Sequence, residues 1–187
     1  ELIIVKNRDQ TDAWQVYCAS NTAAPETDYL VLNTTAATAD NVDRWNDTAP
    51  SASVFTIGDG VEVNTNTEDY IAYCFHSVEG YSKVGSYEGN ASTDGAFIYT
   101  GFRPAFIMLK CTSTTGNWVM EDSKRLGYNV ENRDLYADST EAEGDNNRLD
   151  MLSNGFKQRQ TSGNSNEAQT YIYLAFAKSP FKTANAR

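Results

Sequence analysis

Apolar residues along this chain come in short runs, broken about every ten residues by Ser, Thr, Asn, Asp and Gly. That is the pattern of antiparallel strands joined by turns. No window of a dozen residues sustains a 3.6-residue apolar period, so helix should be scarce. The predicted strands are Leu2 to Lys6, Trp14 to Cys18, Tyr29 to Asn33, Val54 to Ile57, Tyr70 to His76, Tyr81 to Glu88, Gly95 to Thr100, Ala105 to Cys111, Trp118 to Asp122, Arg133 to Tyr136, Gly155 to Arg159 and Thr170 to Ala177. In Tyr70 to His76, alternation puts Ile71, Tyr73 and Phe75 on one face and Tyr70, Ala72, Cys74 and His76 on the other. Both faces are apolar, which predicts a strand in the middle of a sandwich and covered on both sides. Tyr171 to Phe176 reads the same way. Gly58-Asp59-Gly60 offers positive-φ positions for a tight connection, and Asn154-Gly155 opens a strand.

The hydrophobic pattern is used twice. Leu2-Ile3-Ile4-Val5-Lys6, with Trp14 eight positions after the lysine, recurs as Phe106-Ile107-Met108-Leu109-Lys110 with Trp118 eight positions on. In the same order, Leu30 to Ala37 falls on Leu135 to Ala142, Phe55 on Phe156, and Tyr70 to Phe75 on Tyr171 to Phe176. Four collinear blocks predict two diverged copies of one all-β unit, residues 1–78 and 81–187, packed closely, with His76 to Gly80 as the boundary. Tyr81 to Pro104 has no counterpart before Glu1, so the first copy lacks its opening hairpin. The edge left open would need cover, from a neighbouring subunit or from Tyr81 to Thr100 serving both halves. Glu1 to Lys6 is then where a partner is most needed. Trp14 and Trp118, inside strand patterns, are expected in the core.

Composition narrows the classes. With 187 residues, 40% hydrophobic, the chain can bury a real core. A formal charge of −10 opposes sequence-independent binding to nucleic acid or anionic membranes. No apolar run approaches the length of a membrane span, and Glu1 to Val5 lacks the features of a signal peptide. Cys18, Cys74 and Cys111 are an odd set without CxxC spacing, which suits two or more of them as small apolar fillers in a chain assembled in a reducing cytosol better than a disulfide framework or a zinc site.

Several motifs together resemble a known pattern. Val84-Gly85-Ser86-Tyr87-Glu88-Gly89-Asn90, then Tyr99-Thr100-Gly101-Phe102-Arg103-Pro104 leading into Ala105 to Lys110, then Asp122-Ser123-Lys124-Arg125, Ser153-Asn154-Gly155-Phe156 and Tyr171 to Phe176 are similar to a repeat in virion proteins of tailed bacteriophages, especially marine cyanophages. The first copy has Cys18-Ala19-Ser20-Asn21 in place of the Asp-Ser-x-Arg element and departs from it. The resemblance covers nearly the whole chain and implies a concanavalin-A-like or jelly-roll β-sandwich. It also implies a virion location on a tail fibre or as a capsid or tail decoration, other virion proteins as partners, a homo-oligomer of trimeric kind, and no catalytic residue.

Candidate chemistry is sparse. The acids Glu26, Asp28, Asp40, Asp43, Asp47, Glu68, Asp69, Glu121, Asp122, Asp138, Glu141, Glu143 and Asp145 lack the alternation that would line a glycosidase cleft. Asp40 to Asp47 and Asp138 to Asp145 offer oxygen ligands without EF-hand spacing, so no metal is expected. His76 is the sole histidine, which disfavours triads and multi-histidine sites. No phosphate loop or dinucleotide fingerprint occurs, and no cofactor is expected. The remaining candidate for ligand contact is Trp45 with Asp43 and Arg44, an aromatic among polar neighbours. Packing is the other reading of that ring, and the favoured one. Asn33, Asn46 and Asn90 head sequons and read as turn residues. The leading expectation is therefore a non-enzymatic structural or adhesion module of a phage particle with a possible host-glycan contact; the alternative is a lectin or polysaccharide depolymerase of the same sandwich class.

Overall fold

The computed structural model describes residues 1–125, 129–130 and 133–181; the end of the proposed second copy, residues 182–187, lies outside them. In chain order the elements are β1 (Leu2–Asn7), β2 (Gln15–Cys18), β3 (Asp28–Val31), β4 (Ala39–Asp40), two one-turn helices α1 (Val42–Trp45) and α2 (Val61–Asn64), and β5 (Tyr70–Phe75). There follow β6 (Ser82–Glu88), β7 (Phe97–Tyr99), β8 (Pro104–Cys111), β9 (Val119–Asp122), β10 (Asp134–Tyr136), β11 (Leu149–Leu152), β12 (Gly155–Gln158) and β13 (Thr170–Ala177). All pairings are antiparallel: a first sheet β4-β3-β2-β1-β5, a second β10-β9-β8-β13-β6, and a small third β11-β12-β7. The fold is an all-β antiparallel sandwich.

Alternation along β1 sorts its side chains. Leu2 and Ile4 meet Val16, Cys18 and Leu30 from their own sheet and Val84, Met108, Trp118, Ile172 and Leu174 from the second. This shared layer packs the two large sheets face to face. Ile3 and Val5 point the other way, into a cluster with Tyr17, Trp45 and Val63, roofed by Phe55 and Ile57. Their counterparts Ile107 and Leu109 join Val119, Tyr173 and Ala175 beneath the third sheet, which contributes Ile98, Leu149, Met151 and Phe156. The second sheet is thus covered on both faces, and β13 is buried from Tyr171 to Ala175.

Four strands of each large sheet, β3-β2-β1-β5 and β10-β9-β8-β13, repeat in order and register. Leu2 sits opposite Cys18 and Phe75, and Phe106 opposite Asp122 and Phe176. The Trp14 N–H donates to Asn33 Oδ1 at 2.9 Å, and the Trp118 N–H to Asp138 Oδ1 at 2.7 Å. Each tryptophan carbonyl then accepts from the same relative position, Leu32 and Ala137.

Four expectations need correction. Val54 to Ile57 is not a strand; Phe55 and Ile57 use their apolar side chains to roof the first sheet. Gly58 and Gly60 do not have positive φ. They are glycine because a Cβ would stand 2.4 Å from the Asp43 carbonyl oxygen at Gly58 and 2.8 Å from the same oxygen at Gly60. Trp118 is fully buried, but Trp14 is only half-buried, stacked on Tyr73 at 6.3 Å. Finally, Tyr70 to Phe75 is not a covered central strand: β5 ends its sheet, and Ile71, Ala72, Tyr73 and Cys74 are exposed.

Candidate functional site

Asn41 starts α1 by accepting from the Asp43 N–H at 2.9 Å, and Asn46 ends it in the left-handed conformation. The turn drives Trp45 inward: its ring is 2% exposed and meets Tyr17 edge-on at 5.9 Å. Arg44 is buried as well, ion-paired to Glu62 at 2.8 Å with its guanidinium over the Tyr29 ring at 5.1 Å. A platform for a sugar needs an open aromatic face, and Trp45 has none. Of the three predicted contact residues, Asp43 alone borders a surface depression of about 520 Å3, shared with Val42, Asn46, Ile57, Gly58, Asp59 and Asn64. No aromatic side chain lines it.

The most charged constellation lies elsewhere and inside. Glu121 on β9 is directly opposite Asp134 on β10, two like charges whose pairing opposes the sheet. Arg148, arriving with the third sheet, neutralises them: its Nε is 3.3 Å from Glu121, and its Nη2 bonds Asp134. Asn146 donates to Asp134 at 3.0 Å, and the Arg148 Nη1 reaches Ser165 at 3.4 Å. Arg148, Glu121 and Asp134 are all essentially inaccessible to solvent. Their chemistry is to bolt the third sheet onto the second. Sequence reading listed Glu121 only among acids without a glycosidase pattern and passed over Asp134 and Arg148, which carry no local signal.

Lys110 is a second buried cation, donating from Nζ to the Gly116 carbonyl at 2.6 Å and to the Thr35 carbonyl at 3.0 Å. Burial lowers its pKa to about 8. It ties the second sheet to the loop after β3. Lys6, its counterpart, does the equivalent within its own turn by donating to Gln10 O at 2.7 Å.

The motifs of the phage-like resemblance are architectural in this chain. Tyr87 stacks on Tyr171 at 5.2 Å. A Cβ on Gly89 would stand 1.9 Å from the Glu167 carbonyl oxygen, and Asn90 Oδ1 accepts from Asn166 at 3.0 Å. Asp122 Oδ1 accepts from the Lys124 and Arg125 N–H groups while Arg125 Nε reaches back to Asp122 Oδ2 at 2.7 Å, closing a turn.

What faces outward is apolar backbone edge. Beside β5 a groove of about 590 Å3 is walled by Ile3, Tyr17, Phe55, Cys74, Phe75 and His76. Ile71 is 37% and Tyr73 42% exposed. The segment Tyr81 to Thr100 does not serve both halves, since β6 pairs with β13 and β7 with β12. Nor is Glu1 to Lys6 the place in want of a partner, because β1 is flanked by β2 and β5. Among the described residues no helix is long and apolar enough to cross a membrane, and no three potential ligand residues gather where they could hold a metal ion.

Comparison with known proteins places the chain in one family. No curated protein and no solved structure matches the chain. Residues 1–180 match a domain of unknown function, DUF7483, and the chain belongs to that family.

Proposed function

We propose that this chain is a non-enzymatic structural or adhesion module of a tailed-phage particle, a tail-fibre-like element or a decoration of the capsid or tail. It is made in the reducing host cytoplasm, functions as a homo-oligomer, and acts through contacts with other virion proteins. Its two large sheets, alike in the order and register of four strands, support reading residues 1–78 and 81–187 as two diverged copies of one unit. The observation that carries this reading is an uncharged six-residue strand edge that faces solvent, while the closest cluster of charges, Arg148 with Glu121 and Asp134, is sealed in the interior and serves the fold. Such a surface is made for association rather than turnover. The order of motifs along the chain supports the phage assignment.

The test is location and turnover. Gold-labelled antibody against the chain is expected to decorate phage particles at regular positions, and host polysaccharide incubated with the chain is expected to release no reducing sugar. Release of sugar would overturn the reading in favour of a depolymerase. The polar depression beside α1 supports a second, lectin-like reading, because Asp43, Asn46, Asp59 and Asn64 are planar hydrogen-bonding groups suited to sugar hydroxyls. On a glycan array, binding lost in Asp43→Ala and Asp59→Ala variants would establish it.

A further inference from the structure

We propose that β5 is the seam of a two-fold homodimer, pairing antiparallel with β5 of a second copy about Ala72. The inference rests on the oligomeric part of the function proposed above, and gives it a two-fold contact where the resemblance implies a three-fold one. Sheet edges in stable proteins are kept short, charged or covered. Here β4 has two residues and β10 three, including Asp40 and Asp134 respectively. β6 carries Lys83 and Glu88, β11 carries Asp150, and β7 is uncharged but three residues long. β5, by contrast, is six residues of Tyr-Ile-Ala-Tyr-Cys-Phe with no charge. In the second sheet the equivalent place beside β13 is filled by β6, so the position is one that accepts an antiparallel strand.

The ladder says which backbone groups are on offer. The Arg8 N–H donates to the Asp69 carbonyl at 2.8 Å, which turns Asp69 toward β1. Alternation then turns Ile71, Tyr73 and Phe75 toward β1 as well and leaves the N–H and C=O of Tyr70, Ala72 and Cys74 facing outward. Among the described residues no strand pairs on that side. Ala72 is the middle of the outward three. A two-fold axis through it makes Ala72 face its own copy as a hydrogen-bonded pair, with Tyr70 opposite Cys74 on either side.

The side chains agree with this register. Opposed residues then lie on the same face, so the inward-facing layer of one sandwich continues into the next. Ile71 comes opposite Tyr73 of the second copy, a β-branched and aromatic pair of the kind that stabilises sheets, and both exposed apolar side chains are covered. The small Ala72 side chain leaves room at the axis. Beyond the strand, Glu68 falls opposite His76 and Asp69 opposite Phe75, so no like charges face each other across the seam.

Sedimentation of the chain tests this directly. The expected species is a dimer of the 20.7 kDa chain, weakened at least tenfold in Kd by Ala72→Arg, which sets two like charges on the axis at a solvent-exposed position and leaves the melting curve unchanged at concentrations low enough that both proteins are monomeric. Register is read separately in a Cys74→Ser background. There Ala72→Cys cross-links under mild oxidation, since Cα atoms of such a pair stand about 5.5 Å apart, and Ile71→Cys does not. A trimer insensitive to Ala72→Arg overturns the seam and leaves the oligomeric reading standing. A monomer at every concentration overturns both.

Discussion

The two lysines of the repeated pattern show how one residue type can be written for one geometric task. Each follows an apolar run and each closes the polar turn that leads to a tryptophan, Lys6 through Gln10 O and Lys110 through Gly116 O. The cost differs because Lys110 is buried. Its pKa is lowered to about 8 by burial, so in the window between about 8 and the ordinary lysine value near 10.4 the unfolded chain binds more protons than the folded one. Stability contributed at this site therefore rises with pH across that window and is lowest below it. Relative to a Lys110→Met variant, the wild-type chain is expected to gain about 1–2 kcal/mol between pH 7.5 and 9.5, read as the difference in urea midpoints of the two proteins. A gap that is flat with pH would show that the two carbonyls fully compensate the desolvated charge. Arg148 answers to the same physics with larger stakes. Arg148→Met leaves two buried carboxylates without the cation between them and is expected to cost about 3–5 kcal/mol, whereas Arg125→Met, at an ion pair still in contact with solvent (21% and 22% exposed), is expected to cost under about 1 kcal/mol. The spacing of the lysines was legible in the sequence because it recurs within a few residues of each apolar run, from Lys6 to Trp14 and from Lys110 to Trp118, although the bond from Lys110 to Thr35 was not. Arg148 was not legible because Glu121 lies 27 residues before it and Asp134 fourteen, and nothing local announces that three such side chains meet.

At the scale of elements, what could be read depended on how local the cause was. The strands with two-residue alternation and a matching repeat, β1, β2, β8, β9 and β13, fall within a residue or so of their predicted bounds. Alternation is a property of the strand itself. The one-turn helices α1 and α2 and the extended cover at Val54 to Ile57 follow from the need to roof Ile3, Val5 and Tyr17, a demand set by another part of the chain. β11 was missed for a related reason: Leu149-Asp150-Met151-Leu152 is short, and its buried Leu149 and Met151 find their places only where the third sheet packs on the second. Asn154-Gly155 illustrates a right residue with another cause. Leu152 pairs with Gly155, so Ser153 and Asn154 make the turn, and Gly155 is already strand. It is glycine because a Cβ there would lie 2.1 Å from the Ile98 carbonyl oxygen. Gly155→Ala is accordingly expected to push β7 off β12 and cost about 1–3 kcal/mol by overpacking, seen as early hydrogen exchange at Ile98 with β1 and β5 unaffected.

At the scale of the molecule the decisive fact is that the repeat does not divide the core. Cys18 lies in the first sheet and Trp118 leads into β9 of the second, yet both are buried in one layer with Leu2, Met108 and Ile172. Two sheets that share a layer lose it together, so the chain should unfold in a single cooperative step rather than sheet by sheet. The cysteines can report this, since Cys18 and Cys111 are buried, one in each large sheet, while Cys74 is exposed. Burial raises the Cys18 thiol to about 11, which adds a chemical barrier to the steric one at neutral pH. In a Cys74→Ser chain, neither remaining thiol is expected to react with a thiol reagent under native conditions. In urea both should become reactive at one midpoint, matching the midpoint from circular dichroism. Peptide mapping after pulse labelling separates the two sites. Labelling of one cysteine at a lower urea concentration than the other would mean that one sheet stands without its fellow, and that the packed layer between them is a contact of two domains instead of the core of one.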